Sequence, residues 1–374
     1  MSRAAEASGS SAGPGRVRVL IVDDSSEYLA NESASHDHLA TMIAPRFYYT
    51  NYENRLIRMF HGTPVIGNLM SHLVFWLVCI YAAIEIFLRY RTYEYKLFVN
   101  PIVGFFYCFL VGVARRREQI GLAGFLFVHK RSPLYVRFRK WFANYSCHNA
   151  ALIFVYSRSE MTEYSQMFPE LSSKFRFVLY GRDFRIFGSR AFESSQPYIA
   201  SGGITNRDFG TLVRAMWILS EDKYPVRCKI ATRAGQLGAG PIPPNLEILG
   251  NIRIEQFGDF LQKASLIVLP LKRTQVSGGH MVLLEAMSRG KLVVVADTPG
   301  VRDYAGFDSA ILYSAEDPTD LGRAIRFALD HLDEDDIRAI ALKGLEMYGR
   351  KYTHVHLLER LVRELISVRA TEVS

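Results

Sequence analysis

The sequence predicts an α/β protein of two doubly wound parallel-sheet domains, and three observations carry that expectation. The chain has 374 residues, enough for two domains of ordinary size with a core each. Strand-length apolar runs alternate with helical patterns through the second half, as βα units of a parallel sheet do. Those runs are continuous in Val, Ile and Leu, as in strands buried on both faces. A hydrophobic content of 49% with 22% charged residues places the chain among globular proteins.

The first sixteen residues, MSRAAEASGSSAGPGR, are rich in Ser, Gly and Ala. They lack the apolar segment of a signal peptide and read as a loose tail. Val17–Asp24 (VRVLIVDD) is the first strand, an apolar run ending in two carboxylates. A loop follows, then a long apolar stretch at His61–Arg89. Tyr95–Asn100, Gly121–His129 and Ala151–Ser157 read as further strands, and Phe175–Tyr180 closes a first domain spanning 17–185. The polar stretch Gly181–Pro197 is the expected linker.

In the second domain, 186–350, the strands are Tyr198–Ser201, Cys228–Ala231, Leu246–Leu249, Leu266–Leu271, Lys291–Ala296 and Ala310–Tyr313. Helical patterns lie between them at Asp208–Leu219, Ile254–Ala264, Met281–Arg289 and Thr319–Leu332. A terminal amphipathic helix, His354–Val368, lies in a segment (351–374) that can pack back on the first domain. The sequence shows no internal repeat. Cys79, Cys108, Cys147 and Cys228 have no metal-ligand spacing and read as reduced, cytoplasmic thiols.

The formal charge of +8 is unevenly placed. His38–Arg158 holds fifteen Lys/Arg against four Glu and no Asp, an excess of eleven positive charges. Such a bias favours an anionic partner: nucleic acid, phosphorylated lipid or an acidic membrane surface. No helix-turn-helix pattern, RNP sequence or zinc-ligand spacing accompanies it, so nucleic acid is not expected. A response-regulator receiver, suggested by VRVLIVDDSSE, is excluded because no Asp lies between Asp37 and Asp183.

Leu69–Leu88 nearly has the length of a membrane span. His72 and Glu85 fall inside it and basic residues flank both ends (Arg55, Arg58, Arg89, Arg91), giving no orientation. A buried or interfacial helix is the expectation. On a helix through Pro133–Tyr145, Leu134, Phe138, Trp141, Phe142 and Tyr145 form one stripe with Arg137, Arg139 and Lys140 around it. That stripe suits an anionic membrane surface; its alternative role is packing on the sheet.

The strongest local signal is Ser277–Gly290 (SGGHMVLLEAMSRG), followed by KLVVVADTPGVRDY. A Gly pair before a helix leaves backbone N–H groups free to face a phosphate. Glu285, further along the helix, could hold a ribose diol. The next strand ends at the turn Thr298–Gly300, where ligands of doubly wound sheets bind. A second signal is Gly202–Ala215 (GGITNRDFGTLVRA), in which Arg207 precedes a helix and could neutralise a diphosphate. Capping by Asn206, with Asp208 favouring the helix dipole, is the plainer account of that segment.

These segments resemble family 4 of the retaining glycosyltransferases, which have the GT-B fold of two Rossmann-like domains with an interdomain cleft. In that family the helix carries E-x7-E followed by A-M-A-x-G-x-P-V-V. Glu285, Ala286, Met287, Gly290, Val293 and Val294 match that pattern, and Ser277 replaces the first Glu. Arg207 occupies the position of the family's Lys after the first strand of the C-terminal domain. A third match runs through VYSRSEMTEY and FRFVLYGRD, at Val155–Asp183. The first strand is not followed by the family's Gly-rich loop: Ser25–His38 contains no Gly.

The resemblance implies a sugar transferred from a nucleotide-diphosphate sugar, a UDP- or GDP-sugar, to a lipid-linked or glycan acceptor, with retention. Its candidate catalytic residues are Arg207, Ser277 and His129, with His36 and His38 as alternatives to His129. Its candidate donor-binding residues are Gly203, Arg207, Ser277, Gly278, Gly279, His280, Met281 and Glu285. No Asp-x-Asp stands at a strand end (Asp333 and Asp335 follow a helical pattern), so no metal cofactor is expected. The charge excess and the aromatic stripe, not the resemblance, make the cytoplasmic face of a membrane the expected setting. A non-catalytic GT-B protein that binds a nucleotide sugar or anionic lipid is the alternative.

Overall fold

The computed structural model describes residues 16–24, 37–50, 66–125, 133–184, 198–237, 240–250, 252–274 and 278–372. The chain divides into two compact units. One holds residues up to Tyr156, Met161–Val178 and Leu357 onward; the other holds Ser157–Glu160 and Leu179–His356.

The first unit is a six-stranded sheet, β1 (Arg18–Asp24), β2 (Ala44–Thr50), β3 (Tyr95–Phe98), β4 (Gln119–Ala123), β5 (Leu152–Val155) and β6 (Phe175–Phe177). The spatial order is β2-β1-β3-β4-β5-β6, and every pairing is parallel. Its helices are α1 (Ile66–Arg89), α2 (Pro101–Val113), α3 (Pro133–His148) and α4 (Arg158–Met167), although the first three residues of α4 cluster with the second unit. Right-handed crossovers put α1, α2 and α3 on one face of the sheet, because all three connections advance in the same direction. Alternate strand residues, among them Leu20, Val22, Phe98, Ile120 and Leu122, pack against Cys79, Ala83, Ile86, Val103 and Tyr107 of those helices. On the other face, Gly121 lets Leu365 come within 3.2 Å of where a Cβ would stand. Leu365 belongs to α11 (His354–Glu372), whose Leu358, Leu361 and Val362 are fully buried.

Several local expectations need correction here. Ala44–Thr50, read as loop, is β2: an edge strand, where Pro45 forfeits no ladder bond on its open side. β4 begins at Gln119, earlier than expected, and stops where Gly124 turns to φ +86°. The remainder of the expected strand, 126–129, lies outside the described residues. Glu85, the acidic residue of the long apolar helix, turns inward and accepts from Tyr48 Oη at 2.7 Å and from Arg89 at 3.0 Å. Among the described residues no helix is long and apolar enough to cross a membrane.

The second unit has strands β7 (Ile199–Gly202), β8 (Cys228–Ala231), β9 (Leu246–Ile248), β10 (Leu266–Leu269), β11 (Val293–Asp297) and β12 (Ile311–Ser314). They form a parallel sheet in the order β12-β11-β10-β7-β8-β9. Helices α5 (Phe209–Glu221), α6 (Ile254–Lys263), α7 (His280–Ser288), α8 (Pro299–Arg302) and α9 (Pro318–Asp330) alternate with the strands. The unexpected helix α10 (Asp335–Lys351) packs against α7. Asp333 lies in the turn between α9 and α10 and pairs with Arg338. The core strands are buried end to end, Leu266–Leu269 and Val294–Ala296 at 0% exposure, which is why continuous apolar runs marked them. All four cysteines are buried free thiols, and burial pushes Cys228 up to about 12, so it carries no reactive thiolate.

Candidate functional site

The second sheet reverses direction between β7 and β10. From β7 the chain proceeds to β8 and β9, then returns to the far side of β7 and continues through β10, β11 and β12. The loops that leave the carboxyl ends of β7 and β10 therefore diverge, and this switch point is where doubly wound sheets bind ligands. The two loops are the two segments singled out from the sequence. They are laced together: Asp208 N donates to Pro270 O at 3.0 Å, Lys272 N donates to Asn206 O at 3.2 Å, and Arg207 bridges Leu271.

Arg207 is the centre of the arrangement. Its side chain folds back under the loop, donating from Nε to Gly202 O at 2.7 Å and from Nη1 to Thr205 O at 2.8 Å. Only 6% of the residue is exposed. Among the described residues no carboxylate pairs with it. Burial alone draws its pKa down to about 10, so it stays charged at neutral pH. A buried cation with only carbonyl partners is costly and gains by meeting an anion.

The flanking glycines make the seat possible. Gly203 has φ +101°, and a Cβ there would stand 2.5 Å from Arg207 Nη2. Gly279 has φ +90°, with Arg207 Nη1 3.3 Å from where its Cβ would be. A Cβ on Gly278 would meet Cβ of Asn206 at 2.7 Å. Asn206 itself has φ +57° and donates from Nδ2 to Lys272 O at 3.4 Å. Its role is to hold the loop in a left-handed turn, one that Asn tolerates better than most residues. It does not cap the helix. That task falls to Asp208, whose carboxylate accepts from Thr211 N at 3.2 Å. Arg207 thus precedes the helix and is not in its first turn.

Gly279 is the N-cap of α7. Ser277 and His129 lie outside the described residues. His280, first in α7, is buried with its ring 4.2 Å from that of Tyr304. Burial lowers its pKa to about 4, the Arg207 charge adds to the effect, and a hydrogen bond to the Gly300 backbone opposes it. Its Nε2 has no hydrogen-bond partner among the described residues. Met281 is exposed beside it.

Glu285 is further along the helix and is not part of the Arg207 cluster. It faces α6, where a Cβ on Gly258 would stand 2.9 Å from its Oε1, and Arg289 donates to the same oxygen at 3.0 Å. Burial raises its pKa, with Arg289 and Arg182 acting against the rise. Arg289 was the missed partner, although its i,i+4 spacing from Glu285 is legible. Thr232 was also missed: its hydroxyl donates to Gly203 O at 2.9 Å and fixes the first loop from β8.

The depressed His280 pKa makes a stability prediction. Between about pH 4 and 6.5 the unfolded chain binds a proton that the folded chain refuses, so stability falls as pH drops through that window. The expected loss is about 3 kcal/mol in the second unit. Urea denaturation at pH 7 and at pH 4.5 should show it, and His280→Asn should flatten the difference. An unchanged pH slope in the variant would assign the loss to other groups.

Comparison with known proteins adds to this geometry. Residues 198–331 match the family described as glycosyl transferases group 1. Among solved structures, the chain is similar to a glycosyltransferase from Rickettsia africae. The TM-score is 0.62 at 10% identity, covering 95% of this chain and 99% of that one. The Anabaena protein HepE, in complex with UDP-glucose, gives a TM-score of 0.63 at 14% identity over 94% of this chain and 100% of that one. Sucrose-phosphate synthase from Thermosynechococcus elongatus gives 0.59 at 15% identity over 94% and 100%. No match is found among curated proteins. The fold is therefore that of the GT-B glycosyltransferases, and the unit that carries Arg207 and Glu285 matches glycosyl transferases group 1 in sequence.

Proposed function

We propose that the protein is a glycosyltransferase of the family 4 type, moving a hexose from a nucleotide-diphosphate sugar to a lipid-linked or glycan acceptor. The observation that carries this reading is Arg207: a buried cation with no carboxylate partner among the described residues, at the switch point between two glycine loops. The likeness to HepE, which has been crystallised with UDP-glucose, supports a UDP-sugar as the first donor to test.

In this reading the diphosphate lies against the Arg207 guanidinium and the free N–H groups at the start of α7. Nε2 of His280, neutral, buried and without a hydrogen-bond partner among the described residues, is left as an acceptor for a hydroxyl of the donor. As the acceptor oxygen bonds to the anomeric carbon, the bond from that carbon to the diphosphate breaks. The diphosphate leaves with the electron pair and takes up the proton that the acceptor hydroxyl gives up. Negative charge grows on the leaving oxygen, and Arg207 meets it where water is excluded. A fixed guanidinium does here what a divalent cation does in metal-dependent transferases, so turnover should be unaffected by EDTA. The anomeric configuration is retained.

A panel of UDP- and GDP-sugars tests the reading. The true donor should raise the melting temperature, since a ligand at a hundred times its Kd adds about 2.7 kcal/mol to stability. It should also be consumed when an acceptor is supplied. No shift with any nucleotide sugar would refute the proposal. Glu285 is assigned the ribose hydroxyls, a contact present equally in ground and transition states. Glu285→Gln should therefore raise KM about tenfold and leave kcat nearly unchanged. A fall in kcat at constant KM would remove Glu285 from that role.

A further inference from the structure

The first unit covers one face of its sheet with α1, α2 and α3, and the outer side of that layer is apolar. On α1, Leu73, Trp76, Leu77, Tyr81, Ile84 and Leu88 are all exposed, Tyr81 by 61% and Leu88 by 66%. They follow helical spacing and form one stripe. The opposite side of α1, with Cys79, Ala82, Ala83 and Ile86, is the one packed on the sheet. Among the described residues no charged side chain stands on the stripe between Leu73 and Leu88, and Glu85 is turned inward to Tyr48.

The stripe continues onto the neighbouring helices. Trp76 meets Phe106 of α2 edge-on, with ring centroids 5.6 Å apart, and Phe106 meets Phe142 of α3 at 5.8 Å. On α3 the residues that pack inward are Ala143, Ser146 and Cys147. The aromatic stripe expected on this helix does not serve that purpose: Phe138, Trp141 and Tyr145 stand outside, Trp141 with 56% exposure. Ten of the sixteen exposed large hydrophobics among the described residues belong to these three helices. Few soluble monomers expose a contiguous apolar face of this extent.

Charge identifies what covers it. The helices return between parallel strands, so the carboxyl ends of α1 and α2 share one edge of the layer. That edge carries Arg89 and Arg91 after α1 and Arg115, Arg116 and Arg117 after α2, with the Arg116 guanidinium lying 3.9 Å over the Phe87 ring. Arg137 flanks the aromatic stripe of α3. Two of the four glutamates in the 38–158 stretch, Glu85 and Glu118, are turned onto Tyr48 and Lys96. A wide apolar face with a cationic edge is the complement of an anionic bilayer: rings and aliphatics enter the headgroup boundary, and arginines meet lipid phosphates.

We propose that the outer face of α1, α2 and α3 docks onto an anionic lipid surface, with the helices lying in the interface and not crossing it. The proposal deepens the functional reading above in one respect, since a docked protein meets its acceptor in the membrane. Docking itself needs neither donor nor turnover, so the two can fail separately.

The test is flotation of the full chain with vesicles of phosphatidylglycerol and phosphatidylcholine, against vesicles of phosphatidylcholine alone. The protein should rise with the anionic vesicles and be released as salt is raised. Leu77→Ser with Tyr81→Ser should weaken vesicle binding about tenfold, as two exposed side chains lose their burial in lipid. Arg91→Glu with Arg117→Glu should weaken it at least about tenfold, since each basic residue near an acidic surface contributes about fivefold. Leu342→Ser, an exposed site in the second unit, should change nothing. All these positions are at the surface, so melting temperatures should stay at the wild-type value; if the serine variant unfolds, the charge variant still decides. Wild-type protein that stays at the bottom overturns the proposal. So does flotation that ignores lipid charge and salt, or a wild-type dimer that the serine variant dissociates while vesicles bind neither.

Discussion

Arg207→Met is expected to lower kcat/KM for sugar transfer by about ten- to a thousandfold while the second unit stays folded. Methionine keeps the aliphatic stem that fills the space under the loop and removes only the charged head. Two effects on stability oppose each other. The carbonyls of Gly202 and Thr205 lose their donors, at about 1–3 kcal/mol each. The desolvation penalty that already pulls the guanidinium down to about pKa 10 disappears with the charge. The melting temperature without donor should therefore change little, whereas the rise caused by donor should vanish. Arg207→Lys should not rescue activity, because a single ammonium cannot hold both carbonyls and still present a planar fork to a diphosphate. Wild-type turnover by Arg207→Met would remove the donor from this site altogether.

The place of Arg207 in the fold was legible without coordinates. Arg207 follows a Gly-Gly pair and a strand, and precedes a helix, so its place at a strand's carboxyl end is a matter of local pattern. The continuous Val/Ile/Leu runs of β10 and β11 were legible for a related reason: strands buried on both faces have no polar alternation to confuse the period. β2 was not legible. Its first half is only partly buried, it lies at the sheet edge, and Pro45 and Arg46 break the apolar run. Nor was α10, where Gly344 and Gly349 interrupt a charged sequence and only a narrow face meets α7.

The cap position failed for another reason. Asn206 is a residue that caps helices well, and sequence alone does not tell a cap from a left-handed turn two residues earlier. The helices open at Asp208 and Gly279 because their loops must first cross one another at the switch point. The outward face of α1 illustrates a third limit. A long apolar stretch with one Glu reads the same whether the helix is buried all round or bare on one side. The difference lies in Glu85 finding Tyr48, a contact with the strand that the sequence did not reveal.

The same switch-point geometry makes Gly203 a position where one methyl group should matter as much as a charge. Its φ of +101° is strained for any residue with a side chain, and its missing Cβ leaves room for the Arg207 fork, 2.5 Å from Nη2. In Gly203→Ala the backbone strain alone should cost about 1–3 kcal/mol. The new methyl must also push the guanidinium from its seat on the carbonyls of Gly202 and Thr205, or push the loop away from β8, where Thr232 holds it through Gly203 O. Either movement displaces the cation from the place where diphosphate charge develops, so kcat/KM should fall at least about tenfold. A double-mutant cycle separates this from general damage. If Gly203 acts by seating Arg207, then Gly203→Ala should cost little further activity once Arg207→Met is present, and the two losses should fall well short of adding. Full additivity in kcat/KM would mean that the glycine serves the fold alone. Its loss would then be visible as a lowered melting temperature, with no coupling to the guanidinium.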